Sequence, residues 1–407
     1  MKNKVNKKGV SSQAKLMMGV LGWCFISGAC EALTAPLNPA VQRLSDSLTY
    51  YESLAKQPWQ TLHLAQRLTL DQDDPAVPRL RTRLCQYGDI PAEVCAVSTN
   101  EQHYDERLEK GVIHFQERHC IVADGIVGPR TLRALNVSPA QRVHQIQINL
   151  KRWHHLIALA EPNYIWVNVP DHRLRLVHNH QAVFIARVIV GKPSRQTPEI
   201  HSEVTRVVLN PYWVIPPGIA RRDILPKALN DPSFLTRSHI RVFSVQAPQR
   251  ELDPSQVDWA TALRYPGRYV LRQDPGPHNA LGQIKFLFSN RHYVYLHDTP
   301  TKHLFDQPVR LFSSGCVRME DPFDFLNALT RFDSSLASKV AELDKYLESG
   351  KQVSIHLQQP VPIHITYLTA WTDSKGVIHF WDDVYSLDPV FTHLPNQNEQ
   401  DEYPHPI

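Results

Sequence analysis

A thiol transfers acyl groups only as the thiolate, and a neighbouring imidazole can take its proton. The stretch Tyr295 to Arg318, which reads YLHDTPTKHLFDQPVRLFSSGCVR, holds both groups. His297 stands near its start, and Cys316 near its end behind Ser313, Ser314 and Gly315. Gly315 lets the backbone turn tightly, so the N–H groups of Gly315 and Cys316 can converge where an oxyanion would form. Arg318 offers a planar fork for a substrate carboxylate; the alternative is that it braces the turn on backbone carbonyls. His297 and Cys316 are too far apart for a local motif, so the fold must bring them together. His278, in a Gly/Pro loop spanning 276–282, is the rival base.

The stretch resembles the signature of the YkuD-type L,D-transpeptidases, in which a His precedes a Ser-x-Gly-Cys-x-Arg/Asn turn. Many members carry His where this chain has Ser314, and the Ser-Ser-Gly-Cys-Val-Arg form resembles the YcbB-like subgroup. Val190-Gly191-Lys192-Pro193 and Asn210-Pro211-Tyr212-Trp213 resemble the start of the same domain. The resemblance implies Cys316 as nucleophile, His297 as base, Gly315 at the oxyanion turn and Asp298 orienting the His through its carbonyl. It places Trp213 and Ser314 at the cleft, with Tyr295 and Arg318 orienting substrate. The implied reaction joins peptidoglycan tetrapeptide stems, donor and acceptor, into three-to-three diaminopimelate crosslinks through a Cys thioester. Water as acceptor would give an L,D-carboxypeptidase, and a lipoprotein lysine an anchoring enzyme. A non-catalytic wall-binding protein is the reading from another class. Carbapenems are the implied inhibitors, and thiol acyl transfer calls for no metal or cofactor.

These residues need a frame. The expected fold class is α+β: a mainly β catalytic domain over 163–390 with a helical capping insertion at 218–270, a small three-helix module and an N-terminal helical scaffold. In the scaffold, over 36–74, Leu44, Leu48, Tyr51 and Leu54 recur at helical spacing, and Trp59, Leu62, Leu64 and Leu68 suggest a second helix. Over 75–138, a helix carrying Phe115 and Gln116 precedes Asp124-Gly125-Ile126-Val127-Gly128-Pro129. This resembles the peptidoglycan-binding module, either as a wall binder or as a spacer. Val143, Ile146, Leu150 and Trp153 predict a linker helix within 139–162. Alternation then sets in: Tyr164 to Val169, Val204 to Leu209, Tyr293 to His297, Val361 to Trp371 and Val377 to Val384 read as strands.

Five lysines before an uncharged run from Leu16 to Ala29 predict an export signal or uncleaved anchor within 1–35, and so a periplasmic or cell-envelope location. Residues 391–407 read as a tail. The chain has 407 residues, enough for two or three domains, and 31 Pro against 16 Gly, which argues against a helical bundle. A net charge of +4 with no dense basic run after residue 15 excludes nucleic acid as partner, and leaves the membrane only to the leader. Of the six cysteines, Cys85, Cys95 and Cys120 remain once the leader and Cys316 are set aside. Cys85 with Cys95 is the preferred pair across a short loop; the alternative is that all three are small buried apolar residues.

Overall fold

Alternating Val, Ile and Leu bury one side of a strand, and that side must find a partner face. The computed structural model describes residues 39–95, 102–157 and 161–389; the expected leader and tail lie outside the described residues. The main sheet has nine strands, in the order Leu311–Ser313, Gln181–Gly191, Val317–Met319, Leu296–His297, Ile284–Phe288, Ile200–Leu209, Val353–Thr366, Tyr164–Asn168 and Arg173–His178. The last also pairs with Gln181–Gly191, so the sheet closes on itself and leaves few free edges. Ile165, Val167, Leu174, Leu176, Val204, Ile363 and Ile365 form its buried interior, with Phe325 and Leu329 of the helix Pro322–Leu329 packed against them. The protein is α+β.

Three strand expectations need correction. Only Leu296–His297 of the run from Tyr293 pairs in the sheet. Tyr293 has a φ of 56°, and the side-chain amide of Asn290 both accepts from the Val294 N–H and donates to the Val294 carbonyl, satisfying groups a ladder would otherwise hold. The expected strand from Val361 begins earlier, as Val353–Thr366, and ends before Trp371. The strand expected from Val377 to Val384 spans only Ile378–Phe380, which pairs with Ala370–Thr372 in a separate hairpin that packs on the N-terminal helix, where the Tyr51 and Phe380 rings lie 5.4 Å apart. A period of two reveals a strand but not its neighbour.

The insertion is not purely helical. Ile240–Ser244 and Ala247–Leu252 join Trp213–Val214 and Tyr269–Gln273 in a four-stranded antiparallel sheet. Short helices at Leu225–Asn230, Ser233–Arg237 and Trp259–Arg264 cover it over a core of Leu235, Val242, Trp259 and Leu271. Ala247–Leu252 is almost wholly exposed and polar, so no apolar alternation marks it.

The N-terminal helix Pro39–Ala55 is followed by non-helical chain, not by the expected second helix. Leu62 and Leu68 are still buried. The Asn136 side chain accepts from the Leu62 N–H at 2.8 Å and donates to its carbonyl at 2.9 Å, replacing the bonds a helix would supply. In the module, Glu106–Arg118 is capped by Asp105, whose carboxylate accepts from the Leu108 N–H at 2.8 Å. Gln116 clamps the following turn: it accepts from Gly125 N and donates to Asp124, the Ile126 carbonyl and Thr131. A Cys85–Cys95 disulfide is present, and Cys120 and Cys316 are free thiols.

Candidate active site

Two parallel strands meet at the chemistry. Leu296–His297 pairs with Val317–Met319 in a register that sets His297 opposite Arg318. Cys316, the residue before the second strand, shares with His297 a cavity of about 190 Å³, also lined by Tyr295, Trp213, Ser314 and Arg318.

The cysteine turn is held at several points. Gly315 adopts a φ of +114°, which strains any side-chain-bearing residue, and a Cβ there would also come within 3.4 Å of the Gln196 carbonyl. The Gly315 N–H donates to Ser313 Oγ at 3.1 Å, and that hydroxyl donates to the Cys316 carbonyl at 2.5 Å. The Gly315 N–H, expected to face an oxyanion, is thus already engaged within the turn. Thr197 donates through Oγ1 to the Gly315 carbonyl at 2.9 Å and accepts from the Gly191 N–H at 2.8 Å. The Tyr385 hydroxyl in turn accepts from Thr197 N at 3.1 Å and donates to the Gly191 carbonyl at 2.6 Å. Gly191 must be glycine, because a Cβ would lie 2.1 Å from the Arg195 carbonyl.

The charges explain the resting state. Burial pushes the Cys316 thiol above its ordinary value, against the opposing pull of Tyr295, Arg318 and Lys285. His297 is pushed down to about 3, first by burial and then by Arg318, with Lys285 adding to the effect. Both groups are therefore neutral near pH 7. The thiol contacts the Tyr293 carbonyl at 3.9 Å. The carbonyl of Asp298 accepts from His297 Nδ1. A carbonyl cannot donate, so Nδ1 carries the proton and Nε2 is the free base. The Asp298 carboxylate lies 2.7 Å from Lys302 Nζ and accepts from Gln283 N at 3.0 Å.

The remaining expected residues also have definite places. Tyr295 is half-buried, its ring edge-on to His297 at 5.6 Å, and burial raises its hydroxyl pKa. Arg318 is half-buried with its Nε buried and unpartnered, while Nη1 reaches Thr301 Oγ1 at 3.5 Å. It does not brace backbone carbonyls among the described residues. Ser314 is exposed and accepts from Arg195 at 2.8 Å, while the same guanidinium grips Asp223 of the insertion at 2.6 and 2.9 Å. The rival His278 is exposed and stacked on His239 at 5.3 Å, outside the cavity lining.

Residues 162–355 match the L,D-transpeptidase catalytic domain, YkuD, and residues 73–135 match a putative peptidoglycan binding domain. A putative L,D-transpeptidase of Haemophilus influenzae is 33% identical over 235 residues, covering 56% of this chain and 45% of that protein. The chain thus spans less than half the length of that relative. An L,D-transpeptidase structure from Stackebrandtia nassauensis is 13% identical, covers 76% of this chain and 97% of its own, and has a TM-score of 0.27. One from Xylanimonas cellulosilytica is also 13% identical, covers 76% and 100%, and scores 0.22. Likeness at that level carries no functional argument.

Three residues around the YkuD domain's site escape sequence reasoning: Thr197, Tyr385 and Lys285. Only the Thr in Gly-Lys-Pro-Ser-Arg-Gln-Thr, close after a glycine, could have hinted at a turn clamp. Thr197 is a positioning residue with a distinct test. Thr197→Val removes one hydrogen bond to each of two backbone groups, about 1 kcal/mol apiece. Acylation of Cys316 is expected to slow about tenfold, the rate equivalent of 1.4 kcal/mol, and Thr197→Ser is expected to restore it. Equal acylation rates in all three proteins would remove Thr197 from this role.

Proposed function

We propose that the protein is an exported peptidoglycan L,D-transpeptidase that forms three-to-three crosslinks. The observation that carries the reading is the meeting of Cys316, the Nε2 face of His297 and the unpaired edge of Arg318 in one cavity inside a YkuD domain. A donor stem presents its carboxylate to Arg318. That anion offsets one of the cations that depress His297, so the base strengthens when substrate arrives. His297 Nε2 takes the thiol proton and the sulfur attacks the carbonyl carbon of the bond between diaminopimelate and the terminal D-alanine. The Cys316 N–H receives the developing oxyanion, joined by the Gly315 N–H once it leaves Ser313 Oγ. The tetrahedral intermediate collapses, the C–N bond breaks, and His297 returns the proton to the leaving D-alanine amine. A diaminopimelate amine of a second stem then attacks the thioester, giving up its proton through His297 and restoring the thiol. Tyr295 and Trp213 line the donor's path, and Ser314 sits at its mouth beside the Arg195–Asp223 pair. No step requires a metal or cofactor.

The test is mass spectrometry of the protein with tetrapeptide muropeptides. A thioester on Cys316, released D-alanine and crosslinked dimers are expected; D-alanine release with hydrolysed stems alone would make it a carboxypeptidase. The absence of both a thioester and released D-alanine would overturn the reading. The same thiolate is expected to open carbapenems, with Arg318 taking the ring carboxylate. Arg318→Lys keeps the charge but loses the fork, so carbapenem acylation is expected to slow at an unchanged melting temperature. No adduct on Cys316 where iodoacetamide labels it would refute carbapenem recognition.

A further inference from the structure

A second unexplained feature lies away from Cys316. A cavity of about 420 Å³, against about 190 Å³ at the nucleophile, opens where the helix Pro39–Ala55, the module and the hairpin of Ala370–Thr372 with Ile378–Phe380 meet. Its walls bring Arg43 and Tyr50 from the helix, Tyr87 and Arg118 from the module, and Lys375 from the hairpin turn. The module alone cannot form it.

Its floor is built around a buried cation. Arg118 is 2% exposed and gives Nε and Nη2 to Asp89 at 2.6 Å each. Its Nη1 has no hydrogen-bond acceptor in good geometry, beside the Tyr51 hydroxyl. The Nε of Arg43 is likewise buried without an acceptor. Both nitrogens are closed to solvent, so an anion in the cavity meets the charge of Arg118, Arg43 and Lys375 rather than these N–H groups. Asp89 answers Arg118 and also binds His114 Nδ1 at 2.8 Å. Arg43 and Lys375 then face one lining carboxylate, Asp46, so the cavity keeps a positive excess. Tyr50, 45% exposed, stands edge-on to Tyr51, which leans on Tyr87 at 5.7 Å, giving ring surface for CH-rich groups.

We propose that this cavity is a second binding site, which takes a carboxylate-bearing fragment of peptidoglycan and holds a wall strand apart from the reacting stem. The choice of peptidoglycan rests on the transpeptidase reading; the anion and ring chemistry does not. Two sources supply such a carboxylate: the stem peptide, and the lactyl group of a glycan stripped of its stem.

The test uses the full chain carrying Cys316→Ala and labelled with 3-fluorotyrosine, the Tyr50 resonance being assigned through Tyr50→Phe. The probes are the free tetrapeptide and the disaccharide of N-acetylglucosamine and N-acetylmuramic acid with its lactyl carboxylate free. A saturable shift of the Tyr50 signal with either probe is expected, and the probe that produces it names the source. Arg43→Glu with Lys375→Glu is expected to weaken that binding at least tenfold. No Tyr50 shift with either probe in the otherwise unsubstituted chain overturns the site, whether or not the double variant folds. A shift that persists undiminished in a folded double variant overturns it too. Thioester formation is measured separately on the protein with Cys316 intact, so a silent Tyr50 beside a thioester rejects this site alone. A missing thioester beside a shifting Tyr50 rejects the transpeptidase reading alone.

Discussion

Replacing Cys316 with alanine or serine is expected to abolish thioester formation and crosslinking while leaving the melting temperature unmoved. Alanine removes the nucleophile, and the half-buried site loses a single sulfur. Serine keeps an oxygen of similar reach, but an alcohol is far less acidic than a thiol. A base as weak as His297, held to about 3 in the resting site, does not ionise it. Intact-mass analysis with tetrapeptide donor checks both variants. Crosslinking by Cys316→Ala near the unsubstituted rate would sink the mechanism.

His297→Ala is expected to lower acylation of Cys316 at pH 7 by about a hundredfold or more, the usual contribution of a general base. The sign of the pH dependence follows from the two shifts. The thiol is raised above its ordinary value of 9.0, so free thiolate appears only in alkaline solution. His297 is lowered to about 3, so it stays a neutral base from mildly acidic pH upward. In the unsubstituted protein acylation therefore changes little between about pH 6 and 8. In His297→Ala it rises with pH, because hydroxide must make the thiolate unaided. The ratio of the two rates is expected to shrink as pH climbs toward the thiol's own titration. A ratio near one at pH 7 would show that His297 does not activate the sulfur.

The sequence by itself marked the candidate reacting groups and determined the class of fold. Cys316, Gly315 and Arg318 are legible because a nucleophile on a tight turn needs a cysteine, a residue tolerant of positive φ and a nearby anion fork in consecutive chain. His297 and the Asp298 carbonyl were legible through family resemblance, and the hydrogen bond to His297 Nδ1 has the expected partner. Alternation marked the interior of the closed sheet, since burial on one face leaves a period of two. The helix at Pro39–Ala55 was legible from its apolar spacing for the same reason.

What the tertiary structure decided is who meets whom. The parallel pairing that sets His297 opposite Arg318 depends on strand order, which no local period encodes. Thr197 and Tyr385 clamp the cysteine turn from segments 119 and 69 residues away from Cys316 in opposite directions, and neither residue type is unusual in its own stretch. The Asn136 side chain displaced an expected helix by taking both backbone groups of Leu62, a long-range bond invisible to helical spacing. The low basicity of His297 and the raised thiol likewise arise from burial and from Lys285 on a neighbouring strand. Residue type fixes which proton can move, but the dielectric and charges that set its affinity exist only once distant strands have packed.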